Sequence, residues 1–99
     1  MKIVVIGSGG REHAICVSLK KSSQVDEILC IPGNAGTEQV ATNINIEIDN
    51  FEKIKDFILE NKIDLVVIGP EKPLVNGIVD YLKKFNIKVF GPDKITSQL

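Results

Sequence analysis

The feature that most constrains this chain is a strand that passes through glycines directly into a helix. Residues 2–6 form a β-branched, nearly all-apolar run, and residues 11–21 contain no glycine or proline that would stop a helix. Between them, Gly7, Gly9 and Gly10 form a turn that a ligand can approach closely, because glycine has no Cβ. Such a turn brings backbone N–H groups and the positive end of the helix to one spot. It therefore predicts an anion site, most often a phosphate site.

Strands and helices alternate along the rest of the chain. Apolar runs and alternating patterns predict further strands at residues 25–31, 43–48, 63–68 and 87–90. Helical spacing predicts helices at residues 51–61 and 73–85, a helical turn at residues 37–42 and the start of another helix at residues 93–99. We expect Asp49 or Asn50 to cap the second helix and Pro73 to open the third. The apolar stripe predicted for the third helix is Val75, Ile78, Val79, Leu82 and Phe85.

This alternation predicts an α/β fold built as one three-layer, Rossmann-like domain over residues 1–99. Strands joined by helices form a right-handed parallel sheet with helices on both faces. We expect five strands in the order 3-2-1-4-5, with residues 2–6 and 63–68 central, because those two runs are apolar at almost every position. Ligands bind such sheets at the carboxyl ends of the strands, where the strand order reverses.

Composition excludes several classes of function. Twelve Lys and Arg residues against thirteen Asp and Glu residues give a net charge of −1, so the chain lacks the basic character of a nucleic-acid-binding domain. The sequence contains neither a signal peptide nor an apolar run of the roughly 20 residues needed to span a bilayer, so we expect a cytoplasmic protein.

Cys16 and Cys30 lie in apolar surroundings and are predicted to be buried thiols rather than a disulfide or a metal pair.

The glycine turn does not fit the common dinucleotide or nucleotide motifs. Gly7 and Gly9 match the first two glycines of G-x-G-x-x-G, but Glu12 occupies the third position, where a carboxylate would repel a pyrophosphate. The second strand ends without the acidic residue that binds a ribose in nicotinamide sites. No Gly-Lys-Ser/Thr follows the glycines, which excludes a P-loop.

The candidate phosphate ligands are the N–H groups of Gly9 and Gly10 and the side chain of Arg11. The guanidinium fork matches phosphate oxygens, although a surface residue at a helix start remains the alternative. Glu12 is as well explained by its favourable position at the positive end of a helix. His13, the only histidine, is given no chemical role.

The other candidates follow the second and fourth strands. Gly33 and Asn34 offer backbone amides or simply form a tight turn. Glu71, held beside Pro70, either accepts hydrogen bonds from a ribose diol or is a solvated loop acid. The sequence contains no metal cluster, nucleophile–base pair or carboxylate dyad, so no catalytic or metal-binding residue is predicted.

These same segments resemble the N-terminal domain of the phosphoribosylamine–glycine ligase (glycinamide ribonucleotide synthetase) family of the ATP-grasp superfamily. The matching segments are VVIGSGGREHA at residues 4–14, PGNAGT at 32–37, VIGPEKPLVNGI at 67–78 and FGPDK at 90–94. Together they extend over nearly the whole chain, and their combination is specific where a single glycine loop would not be.

The resemblance implies an ATP-dependent ligase that joins glycine to phosphoribosylamine through a glycyl phosphate in de novo purine (IMP) biosynthesis. It implies that ATP and Mg²⁺ (or Mn²⁺) bind mainly to ATP-grasp domains that follow this one, that this domain helps to bind phosphoribosylamine, and that the 99 residues are an inactive fragment of a longer enzyme. Two alternatives stay open. One is another ATP-grasp enzyme, such as an aminoimidazole ribonucleotide carboxylase or a biotin carboxylase, and the other is a non-catalytic binding module.

Overall fold

The computed structural model describes residues 1–7, 10–33, 35–68 and 72–90, with only the backbone described at residues 10–12 and 72–76. Strands and helices alternate along these residues as the sequence predicts. In chain order they are β1 (Lys2–Gly7), α1 (Gly10–Lys20), β2 (Glu27–Pro32), a single 3₁₀ turn (Thr37–Gln39), β3 (Thr42–Asn43), α2 (Phe51–Glu60), β4 (Leu65–Ile68), α3 (Lys72–Lys83) and β5 (Val89–Phe90).

The five strands form one parallel sheet in the order β3-β2-β1-β4-β5. The predicted strand order is therefore confirmed, with β1 at the centre and β4 beside it. Ile6 pairs with Ile31 of β2 on one side and with Ile68 of β4 on the other. The last residues of the three central strands thus lie at one level, and the loops that follow them leave from the same edge of the sheet.

Helices cover both faces of the sheet, which gives the three predicted layers. Alternate residues of a strand point to opposite faces, so Val4 and Ile6 of β1 pack with α2 and α3, while Ile3 and Val5 pack with α1. The α2–α3 side of the core contains Val4, Ile6, Leu29, Ile31, Ile54, Ile58, Val66, Ile68, Ile78 and Leu82. The α1 side contains Ile3, Val5, Cys16, Leu19, Ile28, Cys30 and Val67.

The third strand is shorter than its sequence pattern predicts. The pattern predicts an edge strand at residues 43–48, but β3 pairs with β2 only at Thr42 and Asn43. The N–H of Ile44 donates to the carbonyl of Cys30 at 2.7 Å, so the peptide groups of Cys30 face β3. Residues two apart on a parallel strand face the same neighbour, and Pro32, which comes next on that side, has no N–H to donate. The alternating Ile44, Ile46 and Ile48 instead reflect a segment that leaves the sheet and packs against the α2–α3 side of the core.

The ends of the helices follow local chemistry, with one error in the predicted stripe. Asn50 is the N-cap of α2, as expected, and its side chain accepts a hydrogen bond from the N–H of Lys53 at 3.2 Å. α3 begins at Lys72, so Pro73 is its second residue, and it ends at Lys83. The predicted placement of Phe85 on the buried stripe is wrong, because Phe85 lies beyond the helix and is 38% exposed. The helix predicted at residues 93–99 lies outside the described residues.

The fourth strand begins two residues later than predicted because its first residues form other hydrogen bonds. The N–H of Ile63 donates to the carbonyl of Ile58, at the end of α2, at 3.1 Å. The carboxylate of Asp64 accepts a hydrogen bond from the N–H of Lys2 at 2.7 Å, while its own N–H donates to the carbonyl of Lys2 at 2.9 Å. Asp64, the one polar residue inside an apolar run, therefore joins the amino ends of β4 and β1.

Candidate functional site at the carboxyl edge of the sheet

The central strand ends in a backbone conformation suited to glycine. Gly7, the last residue of β1, has a φ of 145°, a value that residues with a side chain rarely adopt. It lies opposite Pro32 at the end of β2. The predicted glycine turn therefore follows a strand whose last residue has a backbone conformation that favours glycine.

The first helix begins at Gly10, three residues after the end of β1. Gly10 is the first residue of α1 and Arg11 is the second, which places both at the positive end of an 11-residue helix. The first N–H groups of a helix have no partner within the helix. α1 therefore presents its amino end beside the carboxyl end of β1, where the strand order reverses between β1 and β4. The placement of Gly9, the third predicted phosphate ligand, lies outside the described residues.

The loop after β2 also uses a glycine for a specific reason. Gly33 has a φ of 78°, and a Cβ built on it would collide with the side chain of Asn43. The hydroxyl of Thr37 donates to Oδ1 of Asn43 at 2.8 Å and lies 3.0 Å from the same hypothetical Cβ. The backbone at Gly33 is therefore packed directly against a hydrogen-bonded Thr–Asn pair.

Thr37 and Asn43 lie against Gly33, and the sequence motifs did not identify them. Thr37 is fully buried, and its carbonyl accepts hydrogen bonds from the N–H groups of Val40 and Ala41 at 3.1 and 2.8 Å. The pair fixes the loop that carries Gly33 at the carboxyl edge. The available signal was the PGNAGT segment, in which a threonine follows the glycines, but nothing local identified Asn43 as its partner.

Three of the predicted ligands follow the ends of β2 and β4 in the sequence. Asn34, Pro70 and Glu71 lie outside the described residues. β4 ends at Ile68, level with the end of β1, so the segment that contains Pro70 and Glu71 starts at the same edge as the glycine turn. His13 lies on α1 and is partly exposed.

The one described side chain with a clearly shifted pKa lies away from this edge. A hydrogen bond to the Asp56 carboxylate raises the pKa of the Lys55 ammonium, with Nζ and Oδ1 3.0 Å apart on the surface of α2. Within residues 1–7, 10–33, 35–68 and 72–90, no three His, Cys, Asp or Glu side chains cluster in a way that could hold a metal ion. The same described segments contain no helix with the length and apolar character needed to cross a membrane.

A surface pocket of about 260 Å³ lies at the opposite edge of the sheet. It is lined by residues from the end of α2 and from the segments that precede β4 and β5, including Leu59, Asp64, Phe85 and Lys88. None of the predicted ligands lines it. The pocket is therefore separate from the candidate site.

These features define the class of protein. The chain is a doubly wound α/β domain. Gly7 ends its central strand and a helix begins at the point where the strand order reverses, which is where such domains bind their ligands.

Comparison with known proteins gives the family. The family model described as "Phosphoribosylglycinamide synthetase, N domain" matches residues 1–99. The chain therefore belongs to the N-terminal domain family of phosphoribosylglycinamide synthetases, as its sequence motifs predict.

Curated relatives and a solved structure agree with this assignment. The phosphoribosylamine–glycine ligase of Caldanaerobacter subterraneus subsp. tengcongensis is 52% identical over 94 residues, which cover 95% of this chain and 22% of the relative. The ligase of Escherichia coli K12 is 43% identical over 101 aligned residues, with 100% of this chain and 24% of the relative covered. A crystal structure of phosphoribosylamine–glycine ligase from Thermotoga maritima matches with a TM-score of 0.51 and 33% identity over 69% of this chain and 15% of that one.

The coverage values show how much of a relative this chain represents. It spans 22% to 24% of the length of these curated relatives. What the relatives do as whole proteins therefore enters below as a proposal for this chain.

Proposed function

We propose that this chain is the phosphoribosylamine-binding part of an ATP-dependent ligase that joins glycine to 5-phosphoribosylamine in purine biosynthesis. The observation that supports it most is the position of α1, whose first residues, Gly10 and Arg11, lie at the carboxyl edge beside the central strand. The family assignment and the names of the relatives support the ligase class. They favour it over a carboxylase of the aminoimidazole ribonucleotide or biotin type.

In this proposal, the glycine turn binds the 5′-phosphate of phosphoribosylamine. The N–H groups of Gly9 and Gly10 donate to phosphate oxygens at the positive end of the helix, and the guanidinium of Arg11 adds a charged hydrogen bond. Gly33 and Asn34 contribute backbone donors from the loop after β2. The Thr37–Asn43 hydrogen bond, which holds that loop, supports this part of the proposal.

The ribose lies on the β4 side of the phosphate. Glu71 accepts hydrogen bonds from the ribose hydroxyls, and Pro70 restricts the backbone that positions it. Two features support this arrangement: the level ends of β1 and β4 and the acid that follows the second of these strands.

ATP and Mg²⁺ or Mn²⁺ bind, in this proposal, to the parts of the relatives that have no counterpart in these 99 residues. The described residues contain no carboxylate cluster suited to a divalent cation, so no step of the reaction is assigned to a metal held by them. Glycine is the second small-molecule partner. The chain contributes binding and orientation of phosphoribosylamine, and a cytoplasmic location stays a prediction.

The test is a substitution of Arg11 in the protein encoded by the complete reading frame. Loss of one charged hydrogen bond costs about 1.5–3 kcal/mol, so Arg11→Ala should raise the KM for phosphoribosylamine by about tenfold to 150-fold. The KM for ATP should stay within about twofold, a change of less than 0.5 kcal/mol. Lys20→Ala, at the exposed far end of the same helix, is the matched control and should leave both constants unchanged. An effect of Arg11→Ala on ATP alone would contradict the phosphate assignment.

An ADP-formation assay, with and without the downstream coding sequence, distinguishes a fragment of a ligase from a non-catalytic binding module. Phosphoryl transfer needs a metal and a positioned phosphate, so the chain alone should form no ADP above background with ATP, glycine and phosphoribosylamine present. Addition of the downstream coding sequence should restore turnover. A reading frame that ends at Leu99 and supports no ligation would favour the module instead.

A further inference from the structure

Two thiols lie side by side in the core, between the first helix and the second strand. Cys16 of α1 and Cys30 of β2 are both fully buried, and their Sγ atoms are 3.2 Å apart. The S–S bond of a disulfide is about 2.05 Å long. The sulfur atoms therefore need to approach by only about 1 Å, which is the difference between the observed distance and the bond length.

We propose that Cys16 and Cys30 form a reversible intramolecular disulfide that joins α1 to β2 when the protein meets a hydroperoxide. The proposal does not depend on the proposed ligase function, because it concerns the two thiols and their distance alone. Its structural consequence is a covalent link between the helix that begins at the candidate site and the strand that leads to Gly33.

The chemistry balances with hydrogen peroxide as the oxidant. The thiolate of one cysteine attacks a peroxide oxygen, the O–O bond breaks, and a sulfenic acid and water form. The second thiolate then attacks the sulfenic sulfur, so that the S–S bond forms and the S–O bond breaks with release of a second water. Two thiols are oxidised, one peroxide is reduced, and the two thiol protons leave in the two water molecules. A dithiol reductant reverses the reaction by thiol–disulfide exchange.

The oxidant reaches the thiols through local opening of α1. Among the side chains described in this helix, at residues 13–20, only Cys16 and Leu19 are buried. A helix held by so few buried side chains opens at lower free energy than the whole domain unfolds. Cys30, on a strand paired on both sides, stays in place as the partner for the exposed Cys16.

The test uses the reduced chain, whose two cysteines are Cys16 and Cys30. It is treated with hydrogen peroxide under native conditions, blocked with N-ethylmaleimide and digested with trypsin. Cleavage after Arg11, Lys20, Lys21 and Lys53 separates the thiols into the peptides 12–20 and 22–53. We expect these peptides to be disulfide-linked in the monomeric chain, with a mass lower by two hydrogen atoms than their sum, and to separate with dithiothreitol.

Variants and a stability measurement complete the test. Cys16→Ser and Cys30→Ser should each abolish the link between the two peptides. The oxidised wild-type chain should melt at a higher temperature than the reduced chain, because the link fits the folded structure; this readout does not depend on the folding of a variant. The proposal is overturned if both thiols remain alkylatable after peroxide treatment, if cross-links form only between chains or only in denaturant, or if the oxidised chain melts at a lower temperature.

Discussion

Two glycines in this chain should respond to the same substitution with opposite signs. Gly33 follows β2 with a φ of 78°, and a Cβ added there would meet the side chains of Asn43 and Thr37. Gly77 lies inside α3, and among the described side chains its added Cβ would meet the ring of Phe51, at 3.5 Å, an ordinary van der Waals distance. Gly33→Ala and Gly77→Ala therefore form a matched pair of perturbations.

The cost of Gly33→Ala has two parts. A left-handed backbone conformation costs an alanine about 1–2 kcal/mol, and overpacking against Asn43 and Thr37 costs about 1–3 kcal/mol. The loss of glycine's freedom in the unfolded chain offsets about 0.4–1 kcal/mol. The net loss in the free energy of unfolding is about 2.5 kcal/mol, near the middle of the sum of these ranges.

Gly77→Ala should stabilise the protein instead. Alanine in a helix interior is favoured over glycine by about 0.5–1 kcal/mol, and the contact with Phe51 is neither strained nor empty. For a domain of this size, about 1 kcal/mol shifts the melting temperature by roughly 4–8 °C. Gly33→Ala should therefore lower it by about 10–20 °C, and Gly77→Ala should raise it by about 2–8 °C.

The assay is urea unfolding of the two variants and the wild type, followed by circular dichroism. A double-mutant cycle with Asn43→Ala separates the two costs of Gly33→Ala. In an Asn43→Ala background the collision is largely removed, so the same substitution should cost only about 1 kcal/mol, which is the backbone strain less the unfolded-state gain. A double-mutant coupling of about 1 kcal/mol or more is therefore expected. Equal effects of the same sign at Gly33 and Gly77, or no coupling with Asn43, would refute the reasoning.

The remaining predictions concern α2. Asn50→Ala should lower the free energy of unfolding by about 1 kcal/mol, because the side chain caps the N–H of Lys53. Asn50→Asp, which keeps an acceptor oxygen, should retain most of the stability that the cap provides. Equal losses of stability in both variants would argue against the cap. Ile54→Ala should cost about 2–5 kcal/mol, since Ile54 is fully buried, whereas Leu59→Ala on the same helix should cost less than about 0.5 kcal/mol, since Leu59 is 49% exposed. The urea midpoints of these variants check the predictions. Comparable costs at Ile54 and Leu59 would contradict the assignment of one to the buried face of α2 and the other to its exposed face.

Much of the fold could be predicted because its signals are local. The apolar runs that became β1 and β4 are buried on both faces, and only central parallel strands have that requirement. Asn50 was recognisable as a cap from its place before a helical pattern. The glycine turn and the start of α1 were likewise predictable, since the backbone requirement of Gly7 and the uninterrupted helix after it are properties of neighbouring residues.

The candidate site was only partly predictable, because some of its contacts join residues that are distant in the sequence. Arg11 was predicted to begin the first helix and Gly10 to belong to the turn before it, whereas the structure places Gly10 as the first helical residue and Arg11 as the second. Thr37 and Asn43, which hold the loop beside Gly33, were missed because their hydrogen bond joins two elements across the edge of the sheet. Gly9, Asn34, Pro70 and Glu71 stay predictions.

The sequence by itself determined the alternation of strands and helices and the central position of β1 and β4, because hydrophobic period, turn residues and uninterrupted apolar runs are properties of neighbouring residues. Only the tertiary structure decided which side chains of different elements come into contact. β3 is short because Pro32, at the end of the neighbouring strand, has no N–H to donate to it. Phe85 lies beyond the end of α3 and is exposed. The tertiary structure also brought Cys16 beside Cys30, and Gly33 against Asn43. These contacts depend on how a helix or a loop packs against a strand, and side chains distant in the chain become neighbours only when the layers of the fold close together.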